Sequence, residues 1–366
     1  MRDTIEIMAL DANFNIVSYL APSNIQWRRK WYESGSFSIQ IPIGQYSPDI
    51  KYIYSKDRPE VGKVSQINYI QKDGSMQFAL SGYFLERELH KRVCYKLGNS
   101  NITNAPNWVN QSGAAEDVAI AFFNAFKDVD YTYGGNAYSC ELGIEAATSQ
   151  GRGHQSEHER EGEKLDDKCY SILKPSKMSY RVGYDLVNNV KTFKPVIGID
   201  RTEDGHEQGV NPVIFSTAYG NLENPNIVVS DSDYENGYIA TSSYTENDVD
   251  YMVVQAKSEP GQEGEDISFI DVSASTNKSD YASTDDYIAA IHMQGHEELL
   301  EHRKTASFDF DAKEGSYEYL TDFDIGDICS LEVPEIQLSK DAVLIECTEV
   351  IKKGKWTLTL GFDTDD

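Results

Sequence analysis

The sequence predicts a mainly β fold with α+β insertions, and three observations carry that reading. Apolar residues alternate with polar ones along many short runs, as in Ser36 to Pro42 (SFSIQIP), the pattern of a strand with one buried face. Turn signals such as Asp73-Gly74 separate those runs. One phrase is also written twice, as GSFSIQIP from Gly35 to Pro42 and GDICSLEVP from Gly326 to Pro334.

The elements follow in order. Ile5 to Leu20 (IEIMALDANFNIVSYL) alternates weakly and reads as a hairpin turning at Asp11-Ala12-Asn13. IQWRRKWYESGSFSIQIP supplies an aromatic-rich strand, a Gly35 turn and the period-2 strand. Val64 to Gly82 is the clearest hairpin, with a type I′ turn expected at Asp73-Gly74 and Met76, Phe78 and Leu80 alternating after it.

Between 93 and 200 the period changes. Gly113 to Lys127 places Val118, Phe122 and Phe126 near helical spacing, with acids early and Lys127 late. Glu163 to Lys174 is a second, weaker helix, and SYRVGYDLVNNVKTFKPVIG a hairpin around Val187-Asn188-Asn189. Gln150 to Glu163 (QGRGHQSEHEREGE) reads as a polar loop that no core could use. From 201 to 282 come short strands such as VIFS and YMVVQAK. Ser283 to Lys304 is a helix, started by the Ser283/Asp286 capping box with Ile288, Ile291, Gly295 and Leu299 on one face. Strands return from Ala306 onward.

The echo extends beyond one strand. Ile70 to Leu80 aligns without gaps to Val350 to Leu360, matching Gly74 with Gly354 and three alternating apolar positions. Strand alternation fixes which face is buried, so matched phase implies matched orientation. A duplicated small β-barrel is therefore expected, with 36–42 and 329–334 in equivalent places and the two hairpins superposing. The second copy is interrupted, since its closing strands follow the helix at 283–304.

Composition narrows the function. The chain holds 33 basic and 60 acidic residues, net −27, a field that repels nucleic acid and anionic membranes. No apolar run approaches the ~20 residues of a membrane span, and Asp3, Glu6 and Asp11 interrupt any signal-peptide core, so a soluble chain made in a reducing cytoplasm is expected. Cys94, Cys140, Cys169, Cys329 and Cys347 are odd in number and lack CxxC spacing, fitting neither a disulfide framework nor a zinc cluster.

Chemistry is equally sparse. His292 and His296 sit four apart, but HMQGH has Met293 where a zinc protease needs its general-base Glu, and HEELL at His296 lacks a second His. His154 and His158 fall in the polar loop. There is no GxSxG and no P-loop. Among 60 acids a glycosidase dyad cannot be picked out. The expectation is a non-enzyme with no catalytic, cofactor-binding or metal residues and no cofactor.

The motifs as an ordered set resemble a known family. IEIMALDANFNIVSYL with IQWRRKWYESGSFSIQIP, then GIDRTEDG (198–205), VIFSTAYGNLEN (213–224) and DYIAAIHMQGHEELLEH leading to YLTDFDIGDICSLEV resemble siphovirus tail proteins related to the central baseplate hub of long-tailed phages. The resemblance implies two tube-forming β-barrel domains plus two peripheral domains, assembled as homotrimers. On that pattern residues 1–92 are the first tube barrel and 93–200 an α+β peripheral domain. Residues 201–231 and 305–366 form the second, discontinuous barrel, and 232–304 an inserted domain ending in a helix. Such a trimer offers six similar units to a six-fold tail tube and three-fold symmetry to a spike or fibre. The implied partners are the chain itself, distal tail and tube proteins and a spike or fibre, in the virion tail, with no sequence-specific nucleic-acid binding and no membrane. The chain closes at GFDTDD, where the resemblance leaves no room for an appended cell-wall-degrading domain. Two alternatives stay open: a host-surface carbohydrate-binding tail module, and a cell-wall hydrolase with an unrecognised site. Trp27, Trp31 and Trp356 lie on strands, where packing is their simpler use.

Overall fold

In the computed structural model, which describes residues 5–72, 75–96, 101–230, 233–259, 267–299, 302, 305–313, 315–352 and 354–365, hairpins build the first 84 positions as the alternation predicts. β1 (Ile7–Leu10) and β2 (Ile16–Leu20) pair antiparallel. The Asp11 carboxylate closes their loop, Oδ1 accepting the backbone N–H of Asn13 at 2.8 Å and of Asn15 at 2.9 Å. β3 (Asn24–Lys30) and β4 (Ser36–Pro42) pair around Gly35. A Cβ on Gly35 would lie 2.4 Å from the Arg28 carbonyl oxygen and 2.7 Å from the Phe84 ring, so glycine alone fits. β5 (Tyr52–Tyr54), β6 (Val61–Lys72) and β7 (Ser75–Phe84) complete this part. Lys72 pairs with Ser75; the type I′ turn expected at Asp73-Gly74 lies outside the described residues.

The middle segment contains β8 (Asn110–Ala114), α1 (Ala115–Phe126), β9 (Val129–Tyr133), β10 (Asn136–Cys140), β11 (Glu145–Ala146), β12 (Gln155–Glu159), α2 (Leu165–Leu173), β13 (Met178–Asp185) and β14 (Val190–Ile197). Val118, Phe122 and Phe126 are buried, and Phe123 stacks on Phe193 with centroids 4.3 Å apart. The polar loop expected over Gln150 to Glu163 is corrected: it contains β12, paired antiparallel with β8. Both strands are polar (QSEHE and NQSGA), so backbone pairing makes a ribbon that carries no apolar period.

α3 (Glu203–Glu207), β15 (Ile214–Ser216) and β16 (Leu222–Ser230) follow. The chain divides into two compact units, Met1–Asn226 with Asp309–Phe362, and Ile227–Phe308 with Asp363–Asp366. In the second unit β17 (Gly237–Glu246) pairs with β18 (Val249–Ser258) and, in parallel, with β19 (Phe269–Ser273). α4 (Thr284–Leu299) packs on β17 and buries Tyr287, Ile291, Gly295 and Leu299, spaced by four. The expected stripe is thus turned by one residue at its start, Tyr287 taking the inner position and Ile288 being half-buried. The Ser283 Oγ accepts the Asp286 N–H at 3.1 Å, the N-cap half of the expected capping box, while the Asp286 carboxylate accepts from the Ser283 hydroxyl at 2.7 Å. A Cβ on Gly295 would sit 2.4 Å from the Tyr238 ring, which explains a glycine inside this helix. Among the described residues no helix is long and apolar enough to cross a membrane.

The last strands are β20 (Thr305–Ala312), β21 (Ile328–Val333), β22 (Leu338–Lys352) and β23 (Lys355–Asp365). Among the described residues thirteen strands form one hydrogen-bonded sheet, β16-β20-β23-β22-β3-β4-β7-β6-β5-β1-β2, with β21 on β22 and β15 on β21. β4 and β21 therefore share a continuous sheet, which corrects the expectation that the echoed strands hold equivalent places in separate barrels. The cause is the length of β22. Its first part, Leu338 to Val343, pairs with β21, and Glu346 to Lys352 pairs with β3. The pairing differs too: β4 lies on β7, the second strand of its hairpin, whereas β21 lies on β22, the first of its own.

The phase, however, is common. Phe37, Ile39 and Ile41 are buried on β4, and Cys329, Leu331 and Val333 on β21. A short 3₁₀ turn follows each strand, at Ile43–Gln45 and at Pro334–Ile336. The leading glycine is required in both copies, since Gly326 has φ of 93° and a Cβ there would lie 2.3 Å from the Trp31 ring.

Candidate functional site

Where the last strands meet the first, a row of charges is buried in the sheet. On β3 the alternation Ile25, Trp27, Arg29 turns a guanidinium inward, and on β22 Cys347, Glu349, Ile351 turns a carboxylate inward. Arg29 Nε donates to Glu60 Oε1 at 2.5 Å, and its Nη1 donates to the Tyr319 hydroxyl at 2.7 Å and to Asp324. Arg58 Nε donates to Glu349 Oε2 at 2.7 Å, and Nη2 to Oε1. Trp356 Nε1 donates to Glu349 at 3.1 Å and Trp27 Nε1 to Glu60 at 3.5 Å. Both guanidinium groups lie over the Tyr319 ring, 5.8 and 6.0 Å from its centroid. Burial works against the Arg58 cation, but the Glu349 hydrogen bond and charge outweigh it and raise its pKa.

A cleft of about 410 Å³ opens onto this row, lined by Arg58, Lys313, Tyr317, Tyr319, Glu349 and Trp356 among others. Its buried carboxylate, Glu349, is already committed to Arg58 and Trp356. Among the described residues the lining also includes Ser316, Glu318 and Asp322, and no histidine. The sequence reading missed this row, although a charged residue at an inward position of an alternating strand is a readable signal.

The sequence-singled histidines do not converge. His292 Nδ1 is 2.8 Å from the Tyr238 hydroxyl, and its pKa is lowered by burial and by Lys257. His154 is exposed. His158 lies on β12 rather than in a loop; its Nε2 is buried, and burial with nearby Lys168 pushes its pKa down to about 4, leaving it neutral. A group missed from sequence joins residues 76 positions apart: His90 Nδ1 lies 2.9 Å from Asp166, with Asp167 beside it and Arg87 Nη1 3.3 Å from Asp166. Arg87 already supplies a cation to that carboxylate, so the group is satisfied as an ion-paired contact at the start of α2. Burial pushes the Cys94 thiol up to about 12 and raises Cys169, Cys329 and Cys347 as well, which makes these four poor nucleophiles.

Comparison with known proteins covers nearly the whole chain. The family model described as Siphovirus ReqiPepy6 Gp37-like protein matches residues 6–362. The fold is similar to the tail protein from Neisseria meningitidis MC58, at a TM-score of 0.56 and 10% identity over 99% of this chain and 96% of that one. It is also similar to the 43 kDa tail protein of prophage MuSo2 from Shewanella oneidensis, at 0.55 and 11% identity over 98% of both chains. Prophage tail protein gp18 from Listeria monocytogenes EGD-e gives 0.55 and 14% identity over 98% of this chain and 94% of that one. No curated protein matches the sequence.

Proposed function

Because the chain belongs to the family of siphovirus ReqiPepy6 Gp37-like proteins, we propose that it is a structural protein of a phage tail, a hub at the distal end of the tail tube. The observation that carries this is a family match and a fold likeness that each run nearly end to end. In this reading three copies form a pseudo-six-fold ring that joins tube to spike or fibre and lets DNA pass. Residues 1–92 with 201–231 and 305–366 supply the wall, and 93–200 and 232–304 stand outside it. The continuous sheet withdraws the sequence echo as support for six equivalent units, and the reading stands on the family match and the fold likeness. The net charge of −27 suits a channel that phosphate must traverse without adhering. The partners are further copies, neighbouring tail and tube proteins and a spike or fibre, after synthesis in the host cytoplasm.

The hub reading includes no catalysis, cofactor or metal. Elemental analysis of untagged protein should show well below stoichiometric zinc, and incubation with peptidoglycan should release no fragments. Antibody labelling of tails by negative stain should mark the distal tip, with a central hole in the labelled ring. Label along the tube or on the head would overturn the proposal.

A second reading draws on the cleft. Tyr317 and Trp356 beside Lys313, Glu318 and Asp322 form the mixed aromatic and polar lining that sugars favour. It makes the chain a host-surface carbohydrate-binding module, tested by titrating purified host polysaccharide into wild type and Trp356→Ala.

A further inference from the structure

The β6–β7 hairpin outreaches the core that supports it. β5 pairs with β6 only at Val61, Gly62 and Lys63, leaving the outer edge of β6 beyond Ser65 unpaired in the sheet. Register places Ile67 opposite Leu80, Tyr69 opposite Phe78 and Gln71 opposite Met76, so these side chains share one face. At the root that face is core, with Leu80 fully buried and Phe78 stacked on Tyr46 at 4.1 Å. Toward the tip it is bare: Ile67, Tyr69 and Met76 are 45%, 52% and 43% exposed. The other face is mostly polar, with Gln66, Asn68, Gln77 and Ser81 beside Ala79 and a half-buried Ile70. The arm is amphipathic, and among the described residues Ile67, Tyr69 and Met76 on the apolar side of its outer half stay exposed.

Charge indicates the occupant. Over residues 61–84 the sequence has one acid, Asp73, and two lysines, against about one acid in six over the chain. Two copies carrying −27 each repel unless they meet where acids are absent. The other hairpins with exposed apolar side chains carry acids in a shorter span: β17–β18 keeps Glu246, Asp248 and Asp250 at its tip, β9–β10 has Asp130, and Asp11 sits in the β1–β2 loop. The β6–β7 arm, with one acid in 24 residues, is thus the best suited of these to lie against another acidic copy.

We propose that the β6–β7 arm docks through Ile67, Tyr69 and Met76 on a second copy of this chain, an inference that rests on the tail-ring reading. The test is a benzophenone amino acid in place of Tyr69 in the full chain, irradiated in assembled tails in which antibody labelling has shown the chain at the tip. The expected product is a two-copy adduct whose peptide map joins position 69 to a different surface, lost in the Ile67→Asp background while thermal melting of the purified chain is unchanged. A link to another tail polypeptide, links confined within one copy, or no link would overturn the docking proposal while the tip label leaves the hub reading standing. Absence of the chain from tails would overturn both.

Discussion

Arg58 and Glu349, 291 positions apart in sequence, share a two-pronged ion pair that is almost wholly shielded from water. Removing one partner strands the other. Glu349→Ala should therefore lower unfolding free energy by about 3–5 kcal/mol, since it leaves a buried guanidinium and frees the Trp356 N–H. The double variant Arg58→Met, Glu349→Leu should recover most of that loss, because a packed apolar pair of similar volume is often neutral. Urea denaturation of wild type, Glu349→Ala and the double variant decides it; a double variant as weak as the single one would refute the ion-pair account.

Glu86 offers a pH test. Burial, opposed in part by Arg181, pushes its carboxyl up to about 7 from an ordinary 4.5. The folded state then binds the proton more tightly than the unfolded one, so this group lowers stability as pH rises from near 4.5 to 7. Glu86→Gln keeps an acceptor for the Val182 N–H, which lies 3.4 Å from Oε1. The variant should melt higher than wild type at pH 8, by on the order of 2–3 kcal/mol at most, and equally at pH 4. A difference independent of pH would assign the effect to packing.

Gly326 combines a φ of 93° with no room beside the Trp31 ring. Gly326→Val should destabilise the first unit by about 3 kcal/mol through backbone strain and overpacking. The Trp31 indole N–H resonance gives a local readout, expected to move as the ring is displaced from the Lys177 carbonyl it donates to at 3.3 Å. An unmoved resonance and unchanged stability would show that the turn has slack.

In the second unit, Ser283→Ala removes the α4 cap and should cost about 1 kcal/mol. Hydrogen exchange at the Asp286 and Tyr287 amides should rise while β17 amides keep their protection. Equal acceleration in both would mean that the unit opens as a whole.

Much of the β architecture was readable because inward positions are apolar. Phe37, Ile39 and Ile41 announce β4, and Val118, Phe122 and Phe126 announce α1. Periodicity says which face is buried but not which neighbour lies beside it. β22 therefore reads as one strand, with no hint that Leu338 to Val343 and Glu346 to Lys352 serve different partners. β12 was invisible because a polar ribbon has no apolar face. The buried charges left a trace in Arg29 and Glu349, each standing where its strand calls for an apolar side chain. His90 and Asp166, 76 positions apart without a motif, left none.

The pairing of β22 with β3 also has a history in time. Arg28 waits for Thr348, 320 residues downstream. At ~5–20 residues per second the ribosome needs on the order of tens of seconds to deliver that partner. Throughout that interval the nascent chain presents an open strand edge bearing Ile25 and Trp27, the kind of template on which foreign strands add. Translation speed across the long middle of the message, and whatever holdase occupies the edge meanwhile, thereby become part of how this sheet survives its own synthesis.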